Sequence, residues 1–173
     1  MLEKISTCKC YHQITKMGEG GISNIYIDTL MEKISSSFRG TFSIDKIPMF
    51  KEKNFSIIVN LSKENEKGTH FIGISLLKNV IVYFDSYGVE TINLTIEEYL
   101  KNYRKKIIHS NIQLQHLFSS HCGFFCISCI LCLENNIPFH KFLKIFHKKD
   151  LYLNDYISIK IITSFIKYMY LRK

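Results

Sequence analysis

The 173-residue sequence predicts one α+β domain, residues 1–173, with a central, mostly antiparallel sheet flanked by helices. Three observations lead there. Short apolar runs at 55–61, 69–77 and 80–84 have the length of strands, and the last two are separated only by Lys78-Asn79, a pair suited to a tight hairpin. Apolar residues at helical spacing lie on either side of these runs. The chain is long enough for one sizeable core, and neither a repeat nor a linker divides it.

The elements follow in order. Residues 23–36 read as a helix with Ile27, Leu30, Met31 and Ile34 on one side, and 40–49 as a loop. The three strands come next. Thr95-Ile-Glu-Glu has the form of a capping box, in which the hydroxyl and the carboxylate satisfy the first free N–H groups, and it opens a helix over 95–106. Residues 112–117 alternate Ile and Leu with Gln and His, which predicts a fourth strand. An apolar helix over 122–135 is capped upstream by Ser119 or Ser120 and stopped by Asn-Asn-Ile-Pro. Two further helices are expected over 139–147 and 155–171. The segment 156–171 is greasy but carries Lys160 and Lys167, which a membrane span rarely tolerates.

Composition narrows the class. With 46% hydrophobic and 13% aromatic residues the chain is not disordered. The first ten residues carry charges and no apolar run, so the expectation is an intracellular protein of a reducing compartment. The six cysteines, at 8, 10, 122, 126, 129 and 132, are then free thiols rather than a disulfide framework. Cys126, Cys129 and Cys132 recur at helical intervals and read as small buried hydrophobes. One continuous helix cannot wrap them around a zinc ion, and Cys8, Cys10 and His12 are too few to hold one alone, so no metal is expected. The net charge of +8 has two readings: contact with nucleic acid, or a solvated lysine-rich surface. No Arg motif interleaved with aromatics decides between them.

The chemistry-bearing residues can be placed from the hairpin. A two-residue turn at 78–79 pairs residue i with residue 157 − i, so Asp85 faces Ile72 and His70 faces Tyr87. His70 and Asp85 are then diagonal neighbours on one face, with Cβ atoms roughly 7–8 Å apart, within reach of each other. A slip of one residue would separate them. Cys122 opens a helix in Ser-Ser-His-Cys-Gly, where the helix dipole and free N–H groups stabilise a thiolate. Gly123 leaves room beside the sulfur for a substrate backbone. Gln115, just upstream, can donate its side-chain amide to an oxyanion, as can the backbone N–H of Cys122. Nucleophile, base, orienting acid and oxyanion donor are therefore all present. Other histidines fit the base less well. His116 and His121 sit too near the cysteine in sequence to face it, and His140 and His147 follow it too closely to leave room for a sheet.

The same residues carry a resemblance. Gly-Thr-His70-Phe, Val-Tyr-Phe-Asp85-Ser-Tyr-Gly, Gln115 and His-Cys122-Gly-Phe-Phe-Cys, with the upstream Ser-Phe-Arg-Gly-Thr-Phe-Ser-Ile-Asp-Lys-Ile-Pro, resemble the adenovirus-type (adenain-like) maturation cysteine proteases and their Polinton-like relatives. These belong to a wider group with the SUMO-deconjugating Ulp-type peptidases. The resemblance, over about residues 24–134, implies the adenain/Ulp-like cysteine proteinase fold. It implies a His70, Asp85, Cys122 triad, with Gln115, Cys122 and Gly123 at the oxyanion hole. It also implies cleavage of viral capsid or core precursors after small or Gly-Gly residues, by a monomer working in the host nucleus or cytoplasm and in the virion. Phe71 stands where relatives usually carry Trp, and Asp85 follows the Ulp group where adenoviral enzymes use Glu. No cofactor is required on this reading. DNA as an activator rests on net charge alone, and no cysteine between Cys10 and Cys122 is available to anchor an activating peptide. The rival readings are deconjugation of SUMO- or ubiquitin-like proteins, acetyl transfer through the same cysteine, and a basic, non-enzymatic DNA-binding module.

Overall fold

A computed structural model describes residues 21–90 and 93–171. The described residues form five helices and one five-stranded sheet: α1 (Asn24–Ile34), β1 (Phe38–Ser43), β2 (Phe55–Asn60), β3 (Phe71–Leu76), β4 (Val80–Phe84), α2 (Leu94–Lys101), β5 (Lys106–Ile108), α3 (Cys122–Glu134), α4 (Phe139–Leu143) and α5 (Leu151–Leu171). The strands lie in chain order, β1-β2-β3-β4-β5. The three central strands run antiparallel, as the apolar runs predicted, and each edge strand is parallel to its neighbour. This is the expected α+β class, with the sheet between helices.

The hairpin register is the expected one. Gly73 faces Phe84, Ile74 faces Tyr83 and Leu76 faces Ile81, and the turn is closed by Leu77 N–H donating to the Val80 carbonyl at 2.8 Å. Strands β2 and β3 are buried at every position, so they show no hydrophobic-polar alternation. Their side chains divide between two cores. Ile58, Phe71, Val82 and Phe84 pack with α3, whereas Ile57, Val59, Ile72, Ile74 and Tyr83 pack with Ile96, Tyr99 and Leu100 of α2. Helix α3 is the pillar of the first core. Residues 122–132 are all buried, because a helix apolar on every side must be enclosed on every side.

Several local expectations are corrected. The loop expected over 40–49 begins as β1, a half-exposed edge strand whose pairing is shifted between Phe38 and Thr41, where Gly40 has φ 132°. The helix expected over 95–106 is capped by Asn93, not Thr95: the Asn93 side chain accepts the Thr95 N–H at 3.0 Å. It ends at Lys101, the chain turns at Arg104 (φ 49°), and the remaining residues form β5. Residues 112–117 are not a strand. The N–H groups of Leu114 and Gln115 both donate to the Ser86 carbonyl, at 2.8 and 3.0 Å, so the segment is tied to the loop after β4 instead of to a ladder. Helix α3 takes His121 as its cap, while Ser119 Oγ accepts the His121 N–H. Helix α4 is a single short turn, and α5 starts at Leu151, four residues before the expected position. Among the described residues no helix is long and apolar enough to cross a membrane.

Gly88 fastens the turn after β4. Its φ is 71°, and a Cβ there would lie 2.5 Å from the carbonyl carbon of Ile112. Gly88→Ala is therefore expected to cost about 1–3 kcal/mol of unfolding free energy, read from urea midpoints at unchanged m value.

Candidate active site

The ends of β3 and β4 and the tip of α3 meet at one end of the sheet. His70 immediately precedes β3, and its carbonyl accepts the Leu61 N–H at 2.9 Å, which holds it to the end of β2. Asp85 immediately follows β4. The register that pairs Gly73 with Phe84 carries these two side chains together: His70 Nε2 lies 2.9 Å from Asp85 Oδ1. The same oxygen accepts the Tyr87 N–H at 2.8 Å, and the Tyr87 ring stacks on the imidazole with centroids 4.6 Å apart. The ring is thus fixed on one edge and one face. Its other nitrogen, Nδ1, is buried and makes no hydrogen bond among the described residues. The Cys122 thiol stands beside this ring at the first position of α3.

Burial opposes a charge on His70. The Asp85 hydrogen bond, the neighbouring Cys122 and the Asp85 charge outweigh it and raise the imidazole pKa from 6.5 to about 9. At neutral pH the ring is therefore a cation held between a carboxylate and a sulfur. Burial also pushes the thiols of Cys126 and Cys129 far up, and that of Cys132 to about 12, so these three stay protonated and act as small hydrophobes. All four described cysteines are free. Cys8, Cys10 and His12 lie outside the described residues, and among the described residues no cluster of metal-ligating side chains is found.

Gln115 is fully buried and held from both ends of its amide. Ser86 Oγ donates to Oε1 at 2.6 Å, and Nε2 donates to the Ser119 carbonyl at 2.7 Å. This fixes which end of the amide is the donor, and Nε2 keeps a second N–H. Gly123 is needed for a reason other than the expected one. A Cβ there would strike Ile22 Cγ2 at 2.3 Å, so the glycine lets the chain before α1 pack against the tip of α3 rather than leaving space for a ligand.

The cleft above Cys122 measures about 750 Å³. Its lining includes the exposed Ile25, Leu117 and Phe118 together with Asn60 and Thr69. His70, Tyr87 and Cys122 lie within it. The other histidines are engaged elsewhere. His116 stacks on Tyr152, His121 lies 3.5 Å from Asp155, and His147 Nδ1 accepts the Asp150 N–H. Sequence reasoning missed Ser86 and Asp155, and saw in Tyr87 only the residue facing His70. A hydroxyl beside a carboxylate at a strand end was the one legible hint for Ser86.

No protein-family model matches this chain, and no curated protein does. Solved structures do. The crystal structure of ASFV pS273R protease superimposes with a TM-score of 0.62 at 15% identity, covering 83% of this chain and 66% of that one. The selenomethionine form of the same protease gives a TM-score of 0.61 at 15% identity, covering 83% and 67%. The chain thus spans about two thirds of that protease and shares its α+β fold.

The raised pKa of His70 has a thermodynamic consequence. The stabilisation from its charged form is complete below pH 6.5 and is lost as pH rises through about 9. Wild type should therefore lose more unfolding free energy than Asp85→Asn between pH 6 and pH 10, and the His70 ring resonances should titrate about 9 in wild type and lower in the variant.

Proposed function

We propose that this protein is a cysteine endopeptidase in which Cys122 is the nucleophile, His70 the acid and base, and Asp85 the group that orients His70. One observation carries the reading. An imidazole clamped at 2.9 Å to a buried carboxylate shares a cleft with a cysteine at the N-terminus of a buried helix. Cys122 Sγ attacks the scissile carbonyl carbon, forming a C–S bond and an oxyanion. The second N–H of Gln115 and the backbone N–H groups of Cys122 and Gly123 receive that charge. Collapse breaks the C–N bond, and the leaving amine takes its proton from the His70 imidazolium. Water, deprotonated by His70, then cleaves the thioester and returns the sulfur. The cationic state of His70 at neutral pH suits it to the first proton transfer.

The resemblance in sequence extends this to viral structural precursors cut after small or Gly-Gly residues. The shared fold with a protease supports the proteolytic part. An open cleft with exposed apolar residues in its lining suits an extended polypeptide. The net charge of +8 makes DNA a fitting activator of the same enzyme, acting as a monomer in the host cell and the virion.

Cleavage profiling with a peptide library, with and without duplex DNA, tests this directly. Peptides containing Gly-Gly should be cut on the carboxyl side, and SUMO or ubiquitin fusions should be cut more slowly. Faster cleavage of the fusions would make the protein a deconjugating enzyme. Cys122→Ala should abolish cleavage with folding retained, and Gln115→Ala should slow it about 10²–10³-fold. Salt-sensitive DNA binding without any cleavage would leave only the nucleic-acid-binding module.

A further inference from the structure

Behind the segment that joins Gln115 to Cys122 stands the first part of α5, and two consecutive side chains reach from it. Asn154 is fully buried. Its Nδ2 donates to the Leu114 and His147 carbonyls at 2.8 and 2.9 Å, and its Oδ1 accepts the His147 N–H at 2.7 Å. That anchors the start of the segment. Asp155 addresses its end. Its Oδ2 lies 3.5 Å from His121 Nδ1, and the Ser119 hydroxyl is also close enough to interact with its carboxyl. Ser119 Oγ in turn accepts the His121 N–H at 3.2 Å and lies 3.3 Å from His121 Nδ1. The Ser119 carbonyl is the acceptor that holds Gln115 Nε2 at 2.7 Å. A continuous chain of contacts therefore runs from Asp155 to His121, the residue before Cys122, and from His121 through Ser119 to Gln115.

A carboxylate is an expensive anchor. The Asp155 side chain is only 14% exposed, and its Oδ1 is buried with no hydrogen-bond partner among the described residues. Removing such an oxygen from water costs free energy that an apolar side chain at the same place would not. The uncharged Asn154 next to it already ties α5 to the segment. The groups that face Asp155 are His121 and Ser119 from the segment and His116 from the same loop, and Tyr87 feels its charge from across the site.

We propose that Asp155 is a positioning residue. Through Ser119 and His121 it sets the 115–121 segment so that the Gln115 amide and the Cys122 backbone N–H converge on one oxyanion. It touches no substrate. The inference rests on the peptidase reading and adds to it a residue that acts on transition-state stabilisation without acting on the nucleophile.

The test uses a peptidyl-Gly-Gly-aminocoumarin as substrate and iodoacetamide alkylation, read at Cys122 by peptide mass mapping, as a probe of the sulfur. In Asp155→Ala, kcat should fall about 10- to 100-fold with KM nearly unchanged, because misplacing a donor by a fraction of an ångström acts on the transition state. The rate of Cys122 alkylation should stay within about 2-fold of wild type, since alkylation forms no oxyanion. Added to Gln115→Ala, the same substitution should cost clearly less than it does in wild type, because part of its effect runs through the Gln115 amide. Asp155→Asn serves if the alanine variant does not fold. Unchanged kcat, a parallel loss of alkylation, fully multiplicative effects, or failure of both variants to fold would each overturn the proposal. Wild-type protein that leaves the probe uncut would instead overturn the peptidase reading itself, and the inference with it.

Discussion

The site depends on the register of one β-hairpin. A two-residue turn between β3 and β4 leaves His70 and Asp85 just beyond the last paired residues, diagonal to each other, with a 2.9 Å bond between them. Side chains alternate faces along a strand, so a slip of one residue would put imidazole and carboxylate on opposite sides. Both strands are buried on both faces, which makes such a slip costly: it would exchange the side chains of two different cores. The packing of the sheet and the orientation of the His70 imidazole are therefore one constraint.

The second half of the site obeys a different rule. Residues 112–121 have no ladder to satisfy their polar groups, yet Leu114, Gln115 and His121 are buried. Buried backbone amides and carbonyls must find partners, and here side chains and a neighbouring loop supply them. The Ser86 carbonyl takes two N–H groups, Asn154 takes the Leu114 carbonyl, and Ser119 takes the Gln115 amide. A segment held this way has few alternative arrangements, which is what the proposed oxyanion-donor role of Gln115 would require. Gly88 belongs to the same device, because its left-handed backbone is what brings the loop after β4 against Ile112.

Charge is distributed with equal economy. Helix α3 carries four thiols, and burial keeps three of them neutral and inert. Only the one at the helix tip faces a cleft, an imidazolium and the positive end of the helix dipole. The same sequence run Cys-Gly-Phe-Phe-Cys therefore serves both as a core and as a chemical site, one turn apart.

From the amino-acid order alone came the central strands, the hairpin register, the helix beginning at residue 122 and the pairing of His70 with Asp85. All of these are local, or local plus one turn, and strand periodicity and turn length determine them. Thr95 as a cap, residues 112–117 as a strand and the loop at 40–49 were misread. The cap was a local choice between two nearby residues, whereas strand pairing is decided by which backbone partner is near in space, and neither Ser86 nor β2 adjoins in sequence the segment it binds. The meeting of Cys122 with His70, the burial of Gln115 between Ser86 and Ser119, and the presence of Asp155 behind them were settled only by the packing of α3 against the sheet and of α5 against α3. Those contacts join residues dozens of positions apart, and no periodicity along the chain encodes them.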